Sequence, residues 1–262
     1  MPEFTTDDGA RIYYEIGGDG EPTLVFVHGW CSNLRHWDPQ AAHFSNKRRV
    51  LRVDRRGYGR SPVPADYSFA AEREAADIAQ LAASLGITDA VVVGHAGGTP
   101  TAIALAAGYP RLVRALVCEE GAALPPDPAI DAMVGAMVQQ LTGPGYRDAM
   151  KAIYPGFFHP NTDPERVAAY AADAAETPPE VAVAYLTSMS SMDTATPART
   201  LRMPVLFMWA EQPLVPMTLE QLQANVPQAQ LVEIPGTAHF AHLDAPGRFN
   251  EELDRFIDAV GS

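Results

Sequence analysis

Val91-Val92-Val93-Gly94-His95-Ala96-Gly97-Gly98 joins a short β-branched run to a helix-patterned segment, and this junction decides the fold. It has the form of the G-x-S-x-G nucleophile elbow, a sharp strand-to-helix turn whose small flanking residues let the backbone lift one side chain clear. Ala96 stands where that pattern has Ser. A methyl group cannot attack a carbonyl, so two origins are open. Either a nucleophile was replaced by design to trap a bound ligand, or the chemistry of a natural relative does not use the hydroxyl. The first is the expectation adopted. A glycine-rich turn with no chemistry is set aside, because the partners found further along the chain would then be coincidental.

Outward from the elbow, β-branched runs alternate with helix-patterned stretches, which argues for a parallel sheet covered by helices on both faces. Strands are expected over 12–16, 23–27, 49–53, 90–93, 112–118, 205–209 and 229–234, with Gly17-Gly18-Asp19-Gly20 as the turn between the first two. Helices are expected over 69–85, 98–107, 218–226 and 246–260, the last with Phe249, Leu253, Phe256 and Ile257 at helical spacing. From 122 to 196 the pattern changes to amphipathic pieces broken by Pro125-Pro126, Gly143-Pro144-Gly145 and Pro178-Pro179. This stretch reads as a helical lid inserted into a core made of 1–121 and 197–262.

Composition bounds the rest. A chain of 262 residues with 47% apolar content suits one large α/β domain. A net charge of −13, with no basic run longer than Lys47-Arg48-Arg49, lacks the electrostatic footprint of a nucleic-acid binder. No run approaches 18 apolar residues and the N-terminus is polar, so no membrane partner is expected and the chain reads as cytoplasmic. Cys31 and Cys118 are too few for a disulfide framework or a Cys-rich metal site and are expected as reduced thiols.

His239, directly after the last expected strand, is the best general-base candidate, since imidazole can take a nucleophile's proton and return it to a leaving group near neutral pH. His242 reads as structural. The base needs a carboxylate to fix its tautomer. Pro213 occupies the usual late position, so the acid is sought after the strand 112–118, where Glu119 is chosen ahead of Glu120, with Glu211 as the remaining candidate. An oxyanion needs two backbone N–H donors, assigned to Gly97 and Trp30. The loop Asp54-Arg55-Arg56-Gly57-Tyr58-Gly59-Arg60-Ser61 is given a structural role, with Arg55 and Arg56 pairing locally. Substrate contacts are expected from Trp30, His95, Met133, Met137, Tyr154, Phe157, Phe158 and Tyr185, which suit an apolar or aromatic ligand.

His28-Gly29, the loop from Asp54 to Ser61, Gly94-His95-Ala96-Gly97-Gly98 and His239 together resemble the α/β-hydrolase family over nearly the whole chain. The acid after the strand 112–118 is similar to that of mycoestrogen lactonases and of cofactor-independent quinolone dioxygenases, and Gly29-Trp30-Cys31 is similar to the latter. The resemblance implies a mostly parallel sheet flanked by helices, and hydrolysis of a small apolar or aromatic ester or lactone. The catalytic set would be a nucleophile at 96, His239 and a Glu, with no metal or organic cofactor, in a monomer or homodimer. Three alternatives stay open. The first is a cofactor-independent oxygenase or lyase on a His–Glu dyad, to which Ala96 would be natural. The second is a dehalogenase or epoxide hydrolase whose Asp nucleophile was replaced. The third is a ligand-binding module without catalysis. Oxygen uptake, halide or diol release, and binding without turnover would mark them in turn.

Overall fold

The computed structural model describes residues 2–64, 69–121, 128–189 and 192–261. Its strands are β1 (Glu3–Thr5), β2 (Arg11–Gly17), β3 (Thr23–Val27), β4 (Val50–Val53), β5 (Ala90–His95), β6 (Val113–Glu119), β7 (Val205–Ala210) and β8 (Ala229–Ile234). They form one eight-stranded sheet in the order β1-β2-β4-β3-β5-β6-β7-β8. From β4 to β8 the neighbours run parallel, while β1 and β2 add an antiparallel edge. Every residue of β3, β5 and β7 is buried, as expected of strands covered on both faces.

The covering helices are α1 (Asp38–Phe44), α2 (Ala71–Ser84), α3 (Thr99–Gly108), α4 (Pro128–Leu141), α5 (Tyr146–Ile153), α6 (Pro164–Ala174), α7 (Pro179–Met189), α8 (Ala195–Ala198), α9 (Leu219–Gln223), α10 (Ala241–Asp244) and α11 (Pro246–Val260). Because successive strand side chains point to opposite faces, each strand feeds two cores. Val25, Val27 and Val92 pack with Ile78, Leu81, Ile103 and Leu105 of α2 and α3. Leu24, Phe26, Val91 and Val93 pack with Phe44 of α1 and Phe249, Leu253 and Ile257 of α11. Helices α4 to α7 lie between β6 and β7 in the chain, and they share a third cluster with Cys31, Phe240 and Leu243. The residues 122–127 at the start of the expected lid lie outside the described residues. Among the described residues no helix is long and apolar enough to cross a membrane. Both cysteines are free and buried.

Three sequence expectations need correction. The turn at Gly17 to Gly20 does not join paired strands: β4 sits between β2 and β3, with Tyr14 opposite Val53 and Leu24 opposite Val50. The crossover through α1 allows β3 and β4 to pair in parallel, leaving β2 to pair antiparallel on the far side of β4. Arg55 and Arg56 do not pair within their own loop; they reach Glu74 at 2.9 Å and Asp77 at 2.7 Å on α2, in buried ion pairs that pin the loop to that helix. Finally, β6 runs one residue beyond the expected end, so Glu119 is its last residue, paired with His95 and Met208. The consequence appears at the site.

Candidate active site

The elbow is built by close approach. Helix α3 crosses β5 so tightly that a Cβ on Gly94 would lie 2.8 Å from the Cβ of Ala102, and the elbow lies so close to the end of β3 that one on Gly98 would lie 2.6 Å from the Val27 carbonyl oxygen. Only glycine fits at either place. Between them Ala96 adopts φ 45°, a left-handed conformation that costs an L-residue roughly 1–2 kcal/mol. The Thr99 hydroxyl donates to the Gly94 carbonyl at 3.1 Å and ties the turn to its strand.

Beside the elbow lies Trp30, whose backbone nitrogen is 3.0 Å from where a Gly97 Cβ would sit. The two expected oxyanion donors are thus neighbours. Both are tethered to α7: the Trp30 indole N–H donates to the Ala182 carbonyl at 3.0 Å, and the Tyr185 hydroxyl donates to the Gly97 carbonyl at 2.7 Å.

His239 and its acid come from the ends of β8 and β6. His239 Nδ1 lies 3.3 Å from Glu120 Oε2, whose other oxygen accepts the Ala210 N–H at 2.8 Å. Glu119, the residue chosen from sequence, is elsewhere. It shares a strand face with Ala115 and Val117, pointing into the core under α11, and accepts both the backbone N–H and the Nδ1 of His242 at 2.9 Å. The expected strand 112–118 ends one residue too early. With β6 ending at Glu119, the first residue past the strand is Glu120, at φ 48°, and this turn aims its carboxylate at the crevice. Glu211 is exposed and accepts the Gly236 N–H at 2.6 Å.

Burial sets the electrostatics. It lowers His239 to about 4 and His95 to about 3, so both rings are neutral at pH 7, and it raises Glu120 to about 7. The ring Nε2 of His95 donates to the His239 carbonyl at 2.9 Å and so holds the backbone of the base. Behind these groups His95, Glu119 and His242 each offer one atom, all within 4.8 Å of one another, the one such donor group among the described residues that could hold a metal ion. Here they are linked by the Glu119–His242 hydrogen bonds, with the His242 ring stacked on Trp37 at 4.1 Å.

Above Ala96 opens a cleft of about 250 Å³. Of the expected substrate contacts, Trp30, His95, Met133, Met137, Tyr154, Phe157 and Tyr185 line it. Phe158 does not; it is buried in the helical cluster, stacked on Phe240 at 4.6 Å and on Tyr170 at 5.7 Å. Sequence reasoning missed Asp131, Met189, Met192, Trp209, Leu214 and Phe240 as wall residues. Trp209 read as a strand residue and Phe240 as loop, and only the neighbour of an identified base carried a signal.

Phe157, whose ring is 5.7 Å from that of His239, is partly exposed on the wall, whereas Tyr185 is buried and bonded to the elbow. Phe157→Ala should therefore change the preference between bulky and small ligands by about tenfold, the effect of a few methylenes in a pocket, with little loss for the smallest. Tyr185→Ala should weaken all ligands alike. Equal losses for both variants across a ligand series would show that Phe157 is only packing.

Fold and site together define an α/β-hydrolase. A model of the alpha/beta hydrolase family matches residues 24–252, and the chain belongs to that family. It is 29% identical over 271 residues to a protein of Caulobacter segnis named putative carbamate hydrolase RutD, a match that covers 98% of this chain and 100% of the relative. Among solved structures, a thermophilic esterase from Thermogutta terrifontis superposes with a TM-score of 0.86 at 24% identity, covering 100% of this chain and 99% of the esterase, a likeness of fold. Est816, described as an N-acyl homoserine lactone degrading enzyme, has a TM-score of 0.79 at 26% identity, covering 97% of this chain and 100% of its own.

Proposed function

We propose that the cleft above Ala96 is a hydrolase site for a small apolar or aromatic ester or lactone. It is built for a serine nucleophile and stands here in a form that binds substrate without acyl transfer, with α4 to α7 as its lid. The observation that carries this reading is the conformation of Ala96. A left-handed residue at the tip of β5 stores strain that no packing of a methyl group requires, whereas it is the conformation that presents a nucleophile to a base. The partners support it: His239 held by Glu120 on one side, the Trp30 and Gly97 nitrogens on the other. The N-acyl homoserine lactone degradation ascribed to Est816 and the hydrolase name of the Caulobacter segnis relative lie in the same direction.

In the serine form the hydroxyl attacks the carbonyl carbon while His239 Nε2 takes its proton, and the resulting oxyanion lies between the two backbone N–H groups. Collapse breaks the ester bond, and the leaving oxygen recovers the proton from His239. Water, deprotonated by the same ring, then releases the acid. These steps call on no cofactor. The test is Ala96→Ser, which should acquire both turnover and an acyl-enzyme detectable by mass.

The dyad also dictates a pH dependence. His239 can act as base only with its proton on Nδ1, facing an ionised Glu120; a protonated Glu120 donates to Nδ1 instead and forces the wrong tautomer. With burial raising Glu120 to about 7 and lowering His239 to about 4, kcat/KM of the serine form should rise as pH rises through about 7. A single rise near pH 4, flat above it, would show that His239 alone sets the profile.

A further inference from the structure

The cleft carries a charge pattern that neither the acyl-transfer chemistry nor its apolar walls require. No lysine or arginine lines it among the described residues, and its two imidazoles are neutral. Arg55, whose guanidinium sits 5.2 Å from the Tyr185 ring centre, is buried and paired with Glu74. The charged side chains on the wall are Glu120, held by His239 and the Ala210 N–H, and Asp131 on α4. Asp131 is partly exposed and forms no ion pair among the described residues. It lies on the same helix as Met133, Val134 and Met137, which face the same space. Away from the Trp30 and Gly97 backbone N–H groups at the elbow, the wall is mostly thioether, aromatic and aliphatic, surfaces whose rings accept a cation and which bring no positive charge to an anion. A net charge of −13 adds a long-range field of the same sign.

We infer that this cleft selects by charge away from the elbow: its lid end takes an apolar or aromatic body with no anionic group, and Asp131 makes a cationic substituent there the preferred one. The inference concerns the same cleft as the proposed hydrolysis and adds what it binds. A ligand carboxylate would lose hydration against methionine and aromatic walls with no cation to meet it, and would face Asp131 besides. An ammonium group in the same position meets the Asp131 carboxylate at an edge wet enough to keep its desolvation cost small.

The Ala96 chain is suited to the test, because binding can be read without turnover. Three inert probes of matched shape serve: 4-(aminomethyl)phenylacetamide, 4-methylphenylacetamide and 4-carboxyphenylacetamide. Titration by calorimetry, or by the fluorescence of Trp30 and Trp209 in the cleft wall, should give the order amine, methyl, carboxylate, with about tenfold between successive members at low ionic strength. Asp131→Asn should erase the amine's advantage and leave the methyl probe unchanged; Asp131→Glu should restore it. Carboxylate binding equal to that of the methyl probe would overturn the inference. So would an amine preference that survives Asp131→Asn, or failure of all three probes to bind at millimolar concentration. If Asp131 serves only the first turn of α4, Asp131→Asn lowers the melting temperature and leaves the binding order untouched, which also overturns it. Failure of Ala96→Ser to hydrolyse esters would remove the proposed reaction and leave the binding order standing.

Discussion

Ala96→Ser should raise hydrolysis of short p-nitrophenyl esters over the Ala96 chain by about 10⁴- to 10⁶-fold. Removing the nucleophile from a complete triad costs on the order of 10⁶ in kcat, and restoring it should recover much of that if the remaining groups are already in place. The backbone supports the substitution. Serine pays the same left-handed strain at φ 45° that alanine already pays, and the added oxygen faces the cleft rather than a packed wall. Gly94 continues to let α3 close on β5, and Gly98 to let the elbow close on the end of β3. The measurement is initial rate on acetate and butyrate esters and a lactone panel, with both forms shown to be folded and to bind the same ligand. No gain above the Ala96 background under those conditions would sink the serine-hydrolase reading. Turnover by the Ala96 chain itself, with oxygen uptake and no acyl-enzyme, would transfer the site to the His239–Glu120 dyad acting on a substrate proton.

Much of this architecture was legible because the relevant signals are local. The apolar runs of β3, β5 and β7 announce strands buried on both faces, and Gly94, Gly97 and Gly98 around one small residue announce the elbow. His239 follows the last strand of a parallel sheet, where side chains open into the crevice. What escaped depended on registers and contacts that one chain does not display. Strand ends are uncertain by a residue or more in any reading of propensity, and at β6 a single residue exchanges the roles of two adjacent glutamates, because side chains alternate with period two. The short edge strand β1 has only three residues and no apolar pattern to reveal it. Phe158 and Phe157 are consecutive, yet one is core and the other wall. That difference is made by Phe240 and Tyr170, which stack on Phe158 from other parts of the chain.

The two glutamates give the second large effect. In the serine form, Glu120→Gln should lower kcat by about 10⁴-fold with little change in KM, while Glu119→Gln should stay within about tenfold. One Glu120 oxygen accepts the Ala210 N–H, so a glutamine there keeps its carbonyl oxygen on that donor and turns its NH2 toward His239 Nδ1. Imidazole must then accept at Nδ1 and carry its proton on Nε2, where it cannot serve as base; a wrong tautomer of this kind costs about 10⁴ in a serine triad. Glu119 is different because burial raises its carboxyl to about 8 and it faces His242 in the core. A raised folded pKa means its stabilising contribution is full below about 4.5 and is lost as pH rises through about 8. Glutamine, a neutral isostere that can still accept the His242 N–H, should fold and flatten that dependence. Glu119→Leu leaves the His242 donors unpaired and should cost about 2–4 kcal/mol by denaturant unfolding. A large kcat loss in Glu119→Gln with Glu120→Gln near the parent would reverse the assignment and return the acid to the last residue of β6.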